Sequence, residues 1–297
     1  MASKRIPSTL RMPKSAKMVE EIQLKIAAAK MSAEESVLWL KSQPHQAELV
    51  KACFFDDPLL AAAERYHAST EWQAVRAFIG PPRGTALDLG AGRGISSFAL
   101  AKDGWSTVAL EPGQSGEVGA GAIRRLATEA RVRIEVKEAW GESLPFEDSS
   151  FDLVYCRQLL HHARNLPQLC REAARVLKPN GTFIATREHV LSHTRDLELF
   201  LSAHPLHHMN ASENAFLLEQ YTSAITSAGI DLSKVLNTLE SNINLYPETV
   251  ETLKVQIARK LRIPSGSIPT ALLSWRGKRM DTPGRLYTFV GRKRINA

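Results

Sequence analysis

Residues 85–94 contain three glycines at alternating positions, and their residue types are suited to binding a ligand that takes part in a reaction. They read T-A-L-D-L-G-A-G-R-G, with Asp88 two positions before the first of three alternating glycines. Glycine lets a backbone turn sharply and approach a ligand closely. Residues 95–102 have helical composition, so the free amides of a helix N-terminus would face the same ligand. The stretch therefore predicts a strand, a ligand-binding loop and a helix.

Three kinds of ligand could lie on such a loop: a dinucleotide, a phosphate or an adenosine. The dinucleotide pattern G-x-G-x-x-G needs its third glycine where this chain has Ile95. A phosphate-binding loop needs G-K-[S/T], and no lysine follows Gly94. The remaining pattern is G-x-G-x-G preceded by an acid, and segments elsewhere in the chain are needed to identify its ligand.

Those segments follow the loop in order. Glu111 ends an apolar run that predicts the next parallel strand, and an acid about 20 residues past the loop is placed to accept hydrogen bonds from both ribose hydroxyls. Three further motifs follow, L-P-F at 144–146, F-D-L-V at 151–154 and L-K-P-N-G at 177–181. Strand and helix patterns alternate throughout, which predicts a parallel sheet with helices on both faces.

Through these motifs, residues 84–190 resemble the class I S-adenosylmethionine-dependent methyltransferases. The resemblance implies an α/β fold with a Rossmann-like, seven-stranded, mostly parallel sheet, an N-terminal helical extension and a helical insert near the C-terminus. It also implies S-adenosylmethionine as the cofactor of a methyl transfer. Two positions depart from the family pattern. Asn180 replaces a glycine, which a left-handed turn tolerates, and Trp140 stands near a usual aspartate, so its indole is expected to stack on the adenine.

The resemblance places the cofactor contacts on the loop and on the strand ends. Asp88 would face the amino-acid end of the cofactor, and Glu111 would face its ribose. The expected cofactor-binding residues are Asp88, Gly90, Ala91, Gly92, Gly94, Glu111, Pro112, Ala139, Trp140, Gly141, Arg157 and Gln158.

Histidines after the fourth and fifth strands are the candidate general bases, because a hydroxyl acceptor must lose a proton. His189 is favoured, since Glu188 could orient its ring while Arg187 keeps its pKa low and stabilises an anion. His162 is the competitor, although a packing or capping role fits a paired histidine equally well. If neither acts, the acceptor is already nucleophilic and alignment alone suffices.

Composition narrows the class of protein. The chain has 297 residues, 44% of them apolar and 23% charged, as in ordinary soluble proteins. No apolar run approaches the roughly 20 residues that span a bilayer. Three cysteines without metal or disulfide spacing fit reduced thiols, so a cytoplasmic location without membrane contact is expected. His204, His207 and His208 lack metal-ligand spacing, so no metal is expected.

The net charge of +7 gathers in short basic runs at 4–5, 276–279 and 292–294. Such runs fit a solvated surface, so a nucleic-acid partner is not expected. The long segment after the fifth strand favours a small-molecule acceptor, with a hydroxylated metabolite or sugar as the leading class. Two alternatives stay open: methylation of RNA or protein through the basic segments, and a protein that binds the cofactor without catalysis.

Four segments are expected along the chain. They are a disordered tail at 1–17, a helical extension at 18–80, a cofactor-binding core at 81–190, and the substrate-shaping insert with the remaining strands at 191–297. The extension would be either a lid over the substrate or a packing appendage. In the last segment the sequence predicts a strand at 230–239, a helix at 248–261, loops at 264–269 and 274–283, and a final strand at 285–290.

Overall fold

The structure is a computed structural model, and it describes residues 31–204 and 214–295. The predicted tail at 1–17, the start of the extension at 18–30, and the histidines His207 and His208 lie outside the described residues. In the two described ranges, no helix is long and apolar enough to cross a membrane.

One mixed sheet forms the centre of the fold, with the strand order β3-β2-β1-β4-β5-β8-β7. The strands are β1 Thr85–Leu89, β2 Ser106–Leu110, β3 Ile134–Lys137, β4 Phe151–Arg157, β5 Leu177–Leu191, β6 Phe216–Leu217, β7 Ile230–Leu236 and β8 Arg285–Lys293. Strands β1 to β5 run parallel, β8 is antiparallel to β5 and β7, and the two-residue β6 pairs with β5 off this path. The predicted seven-stranded, mostly parallel sheet is confirmed. Its order reverses between β1 and β4, and ligands bind at such a point, outside the carboxyl ends of the strands.

Helices cover both faces of the sheet. They are α1 Ala33–Ser42, α2 Ala47–Ala52, α3 Leu59–Ala68, α4 Thr70–Ile79, α5 Ile95–Asp103, α6 Ala120–Ala130, α7 Leu166–Val176, α8 Asp196–Ala203, α9 Leu218–Ser227, α10 Asn242–Leu245, α11 Val250–Leu261 and α12 Thr270–Lys278. Side chains alternate along each strand, so Leu87 and Leu89 pack in one core with α7 and α9, while Ala86 packs in another with α3, α4 and α5. The sheet is therefore buried on both faces.

The C-terminal segment differs from expectation at several places: β7 ends at Leu236 and not at 239, β8 continues to Lys293, and one predicted loop is largely helical. The prediction of a loop at 274–283 is wrong, because α12 continues to Lys278. Gly277 does not break this helix: a Cβ placed on it would lie 1.9 Å from Asn237 Oδ1, so the missing side chain is what allows the helix to pack. Asn180 has the left-handed conformation expected for it, with φ of 61°.

Buried polar contacts fasten the described N-terminal helices to the carboxyl edge of the sheet. Glu71 in α4 is fully buried and accepts hydrogen bonds from Arg157, at the end of β4, at 2.6 and 3.1 Å. Arg93 in the glycine loop donates to the Phe54 carbonyl at 3.1 Å and to the Asp57 carboxylate at 2.8 Å. Because a buried charge is unfavourable unless it is paired, these contacts hold the helices against the ligand edge.

Glu71→Ala should lower the free energy of unfolding by about 3–5 kcal/mol, because it leaves the buried Arg157 without its carboxylate. Urea unfolding followed by circular dichroism measures the change. Glu129→Ala removes an exposed acid from α6 and is the matched control, with an expected change below about 0.5 kcal/mol. A loss no larger than that of the control would show that the ion pair does not contribute to stability.

Candidate cofactor and acceptor site

The glycine loop joins β1 to α5 in a conformation that glycine adopts most readily. Gly90, Gly92 and Gly94 have φ of 70°, 54° and 84°. The amides of Gly90 and Ala91 donate to the Leu110 carbonyl at 2.9 and 3.0 Å, which ties the loop to the end of β2. Helix α5 begins directly after the loop, so its free amides face the crevice.

Asp88, the acid before the loop, is buried and anchors the start of α5. Its Oδ2 accepts hydrogen bonds from the hydroxyls of Ser96 and Ser97 at 2.8 and 2.5 Å. Its Oδ1 is buried and has no partner in the described part of the chain. Burial raises the pKa of Asp88 to about 6. The second oxygen is a buried acceptor that a donor on a bound ligand would satisfy.

Glu111 lies just past the end of β2, as the sequence predicts. Its Oε2 accepts from the Gly92 amide and its Oε1 from the Gly113 amide, both at 2.9 Å. Burial raises the pKa of this carboxyl group. Each carboxylate oxygen keeps a further lone pair, so Glu111 can brace the glycine loop and still accept from a ligand.

The glycines of the site differ in what surrounds them. A Cβ placed on Gly92 would meet no described atom within 4 Å, so Gly92 borders open space. A Cβ on Gly90 would lie 2.4 Å from Leu159 Cδ1, and one on Gly141 would lie 2.4 Å from Leu169 Cδ1. Gly90 and Gly141 therefore make room for protein side chains, and Gly92 is the glycine that a ligand can approach.

Trp140, the residue expected to stack on adenine, is 54% exposed. The guanidinium of Arg164 lies 4.0 Å from the centre of its ring, in a cation–π contact. One face of the indole is thus covered by this guanidinium. Pro112 and Ala139 are half-buried.

Arg157 has partners within the protein. Besides its contacts with Glu71, its guanidinium donates to Gln158 Oε1 at 2.9 Å. Gln158 adopts a left-handed φ of 53° at the point where the chain leaves β4. Arg157 therefore links the strand end to the N-terminal helices, a contact that the sequence did not indicate.

Glu188 on β5 is the buried carboxylate that organises the acceptor side of the site. It accepts from the backbone amides of Leu159 and His161 at 3.0 and 3.2 Å, and from His161 Nδ1 at 2.7 Å. This contact places the proton on Nδ1 and leaves Nε2 as the basic atom. Burial lowers the pKa of His161, so its imidazole is neutral. The expectation that Glu188 orients His189 is wrong, because the acid is engaged by His161.

His189 and Arg187 face different surroundings. His189 Nδ1 donates to the Gly284 carbonyl at 3.1 Å, and burial lowers the pKa of His189 to about 3. Arg187 donates to the Ile243 carbonyl at 2.8 Å, and its Nη1 lies 3.7 Å from Glu71 Oε2. A β-bulge in β5, with Arg187 at φ of 59°, separates the two side chains. The expectation that Arg187 sets the pKa of His189 is therefore wrong, since burial lowers it.

Four histidine rings come together at this edge. The ring of His161 lies 4.2 Å from that of His162 and 4.7 Å from that of His189, which lies 5.6 Å from His204. His161 and His189 are buried, and His162 is exposed. In the described ranges, no three histidine, cysteine or acidic side chains are placed to hold a metal ion together. The histidine pair was visible in the sequence, but which of the two meets the acid depends on the fold.

Known proteins resemble this chain in sequence and in fold. Residues 87–185 match the family model described as "Methyltransferase domain". A dimethylglycine N-methyltransferase of Parasynechococcus marenigrum is 35% identical over 108 residues, which is 36% of this chain and 38% of the relative. A ubiquinone biosynthesis O-methyltransferase of Azorhizobium caulinodans is 30% identical over 100 residues, 34% of this chain and 38% of the relative. The chain thus spans less than half the length of these curated relatives.

The crystal structure of the YcgJ protein of Bacillus subtilis has a similar fold, with a TM-score of 0.51 at 20% identity, over 77% of this chain and 99% of that one. Sheet order, glycine loop and strand-end acid together define a Rossmann-like methyltransferase fold. Residues 87–185 are therefore a class I S-adenosylmethionine-dependent methyltransferase domain.

Lowering the pH from about 7.5 to about 5 should destabilise the protein through His189 by about 2 kcal/mol. Its pKa in the folded state is about 3, so the unfolded chain, with the ordinary histidine pKa, takes up a proton first as the pH falls. The stability is complete above the ordinary pKa and is lost progressively down to the folded-state value. Urea unfolding at the two pH values measures the loss.

His189→Gln should remove this share of the pH dependence, whereas His45→Gln, at an exposed position, should leave it unchanged. The same loss of stability in the wild type and both variants would contradict the assignment.

Proposed function

We propose that the protein transfers the methyl group of S-adenosylmethionine to a hydroxyl group of a small molecule, such as a metabolite or a sugar. The observation that carries this proposal is the buried pair of Glu188, on β5, and His161, in the turn after β4. The names of the N- and O-methyltransferases among the relatives support small acceptors.

The residues present fit the cofactor. Glu111 would accept hydrogen bonds from the ribose hydroxyls, and the unpaired Oδ1 of Asp88 would accept from the α-ammonium group. The open space at Gly92 leaves room for the cofactor to pass close to the protein backbone. When bound, S-adenosylmethionine supplies a methyl group on a sulfonium sulfur, activated for transfer to an aligned nucleophile.

His161 is the proposed general base. Its Nε2 would take the proton of the acceptor hydroxyl, and the ionised Glu188 would stabilise the imidazolium that forms. His189 and His162 are the alternative bases, and His189 Nδ1 is engaged by the Gly284 carbonyl and not by a carboxylate. The pair suits an oxygen acceptor, because a hydroxyl becomes a strong nucleophile only as its proton is removed.

The surroundings of the site favour a small acceptor over a chain of RNA or protein. Glu71 and Arg93 hold the described N-terminal helices against the edge from one side. On the other side, the ring of Phe200 in α8 lies 4.9 Å from that of His189. An edge covered in this way favours a compact acceptor over a bulky one.

Glu111→Ala should weaken the binding of S-adenosylmethionine by about 1.5–3 kcal/mol, the usual contribution of hydrogen bonds to a charged group. Isothermal titration calorimetry with the cofactor and its demethylated product measures the loss. Glu135→Ala removes an exposed acid from the neighbouring strand β3 and should leave affinity unchanged. If the two variants bind equally well, the ribose assignment is wrong.

His161→Gln should lower kcat by about 10²-fold or more and leave cofactor affinity unchanged, because it removes the base without touching the glycine loop. Transfer of a labelled methyl group to a panel of hydroxylated metabolites provides the assay. His162→Gln and His189→Gln test the two alternative bases, and His45→Gln, at an exposed position elsewhere, is the matched control. A loss in either His162→Gln or His189→Gln with full turnover in His161→Gln would move the base to that histidine. Full turnover in all three variants would contradict a hydroxyl acceptor that needs a base.

A further inference from the structure

Helices α11 and α12 and the turn between them expose an unusual share of the apolar side chains. Nine large hydrophobic residues are exposed in the described parts of the chain, and more than half of them lie in this one segment. They are Val255, Leu261, Ile263, Leu272 and Trp275. Scattered exposed apolar residues need no explanation, but a concentration in one segment is typical of an interaction site.

The same segment is strongly cationic. Between residues 250 and 279 the sequence contains seven basic residues and one acidic residue, Glu251. The basic residues are Lys254, Arg259, Lys260, Arg262, Arg276, Lys278 and Arg279. Lys254 pairs with Glu251, and none of the other six forms an ion pair with another residue of the described chain. The positive charge of the segment is therefore not neutralised by those residues.

Helix α12 shows how the two features combine. Its inner face is packed, with Leu273 and Gly277 buried against the body of the protein. Its outer face carries Leu272 and Trp275 about one turn apart, and Arg279 follows directly after the last residue of the helix. The guanidinium of Arg279 lies 4.2 Å from the centre of the Trp275 ring. The helix thus buries one apolar face and exposes a second, which has cations among its apolar side chains.

We propose that the α11–α12 surface, residues 250–279, binds the surface of membranes that contain anionic lipids. Segments that lie in a membrane interface combine lysine and arginine with tryptophan and aliphatic side chains, and anionic headgroups attract such basic clusters. Nucleic acid is the less suitable partner, because aliphatic side chains do not stack on bases as aromatic rings do. The expectation of no membrane contact was based on spanning segments in the sequence, and it did not address binding at a peripheral surface.

The surface is joined directly to the acceptor side of the site. After α12, Arg285 donates to the Met280 carbonyl, and the Gly284 carbonyl accepts from His189 Nδ1 at 3.1 Å. A membrane bound at α12 would therefore contact a segment that is close to the site in the sequence. The membrane contact itself does not depend on the proposed methyl transfer.

Co-sedimentation of the full chain with vesicles tests the proposal. Phosphatidylcholine vesicles should bind it weakly, and vesicles in which phosphatidylglycerol replaces about a third of the lipid should bind it at least about tenfold more strongly, an advantage that salt reduces. Leu272→Ser/Trp275→Ser should lower the partition coefficient about tenfold, since it removes the apolar contact. Leu38→Ser/Leu199→Ser changes two exposed apolar residues elsewhere and is the matched control.

Arg276→Glu/Arg279→Glu should abolish the preference for anionic vesicles, whereas Arg83→Glu/Arg133→Glu, with the same change in charge at exposed positions elsewhere, should reduce it less than about threefold. Equal circular dichroism spectra and unfolding midpoints show that the variants are folded. Absence of binding to anionic vesicles, or equal losses in surface and control variants, would overturn the proposal. The proposal would also be overturned if the protein retained RNA and the Arg276→Glu/Arg279→Glu variant alone lost that retention while its vesicle binding persisted. The partner would then be nucleic acid.

Discussion

A fully buried carboxylate at Glu188 fixes the path of the chain where β4 ends. A carboxylate withdrawn from water must be hydrogen-bonded, and Glu188 finds its donors in the backbone of Leu159 and in the backbone and ring of His161. Those bonds hold the turn after β4 against β5. Leu159 then packs over Gly90, so one interaction positions part of the cofactor loop and the candidate base together.

A second buried acid, Glu71, organises the opposite side of the same edge. It is paired with Arg157 and lies near Arg187, and so connects α4 to the ends of β4 and β5. Arg187 and Glu188 are neighbours in sequence, yet they serve different partners. The bulge in β5 lets the strand do this, because it changes the regular alternation of side chains at the point where the strand meets the site.

Burial at this edge keeps the imidazoles neutral, and it makes the folded state less stable as the pH falls. The pKa values of His161 and His189 are lowered by desolvation, so both rings can accept a proton where an exposed histidine would begin to carry one. The same desolvation favours the unfolded chain as the pH falls, since the unfolded chain is free to bind those protons. Asp88 shows the opposite shift, because burial also favours the neutral form of an acid. The site thus contains titratable groups whose charged forms are disfavoured by burial, together with a few charged groups that are paired.

The sequence by itself determined the sheet, the glycine loop and the strand-end acid, because these depend on local rules. Alternating glycines permit the left-handed conformations observed at Gly90, Gly92 and Gly94, and apolar runs between helices give parallel strands. Asn180 was identified for the same reason, since asparagine tolerates a left-handed turn.

Only the tertiary structure decided the pairing of charged and polar groups, because their partners are far apart in the chain. Glu188 meets His161 across 27 positions, and Arg157 meets Glu71 across 86. Gly277 was misinterpreted as part of a loop because its partner Asn237 lies 40 positions before it, and only their contact shows the glycine to be part of a packed helix. Local sequence patterns fix the course of the backbone, but which side chain a buried charge meets depends on how the strands and helices pack.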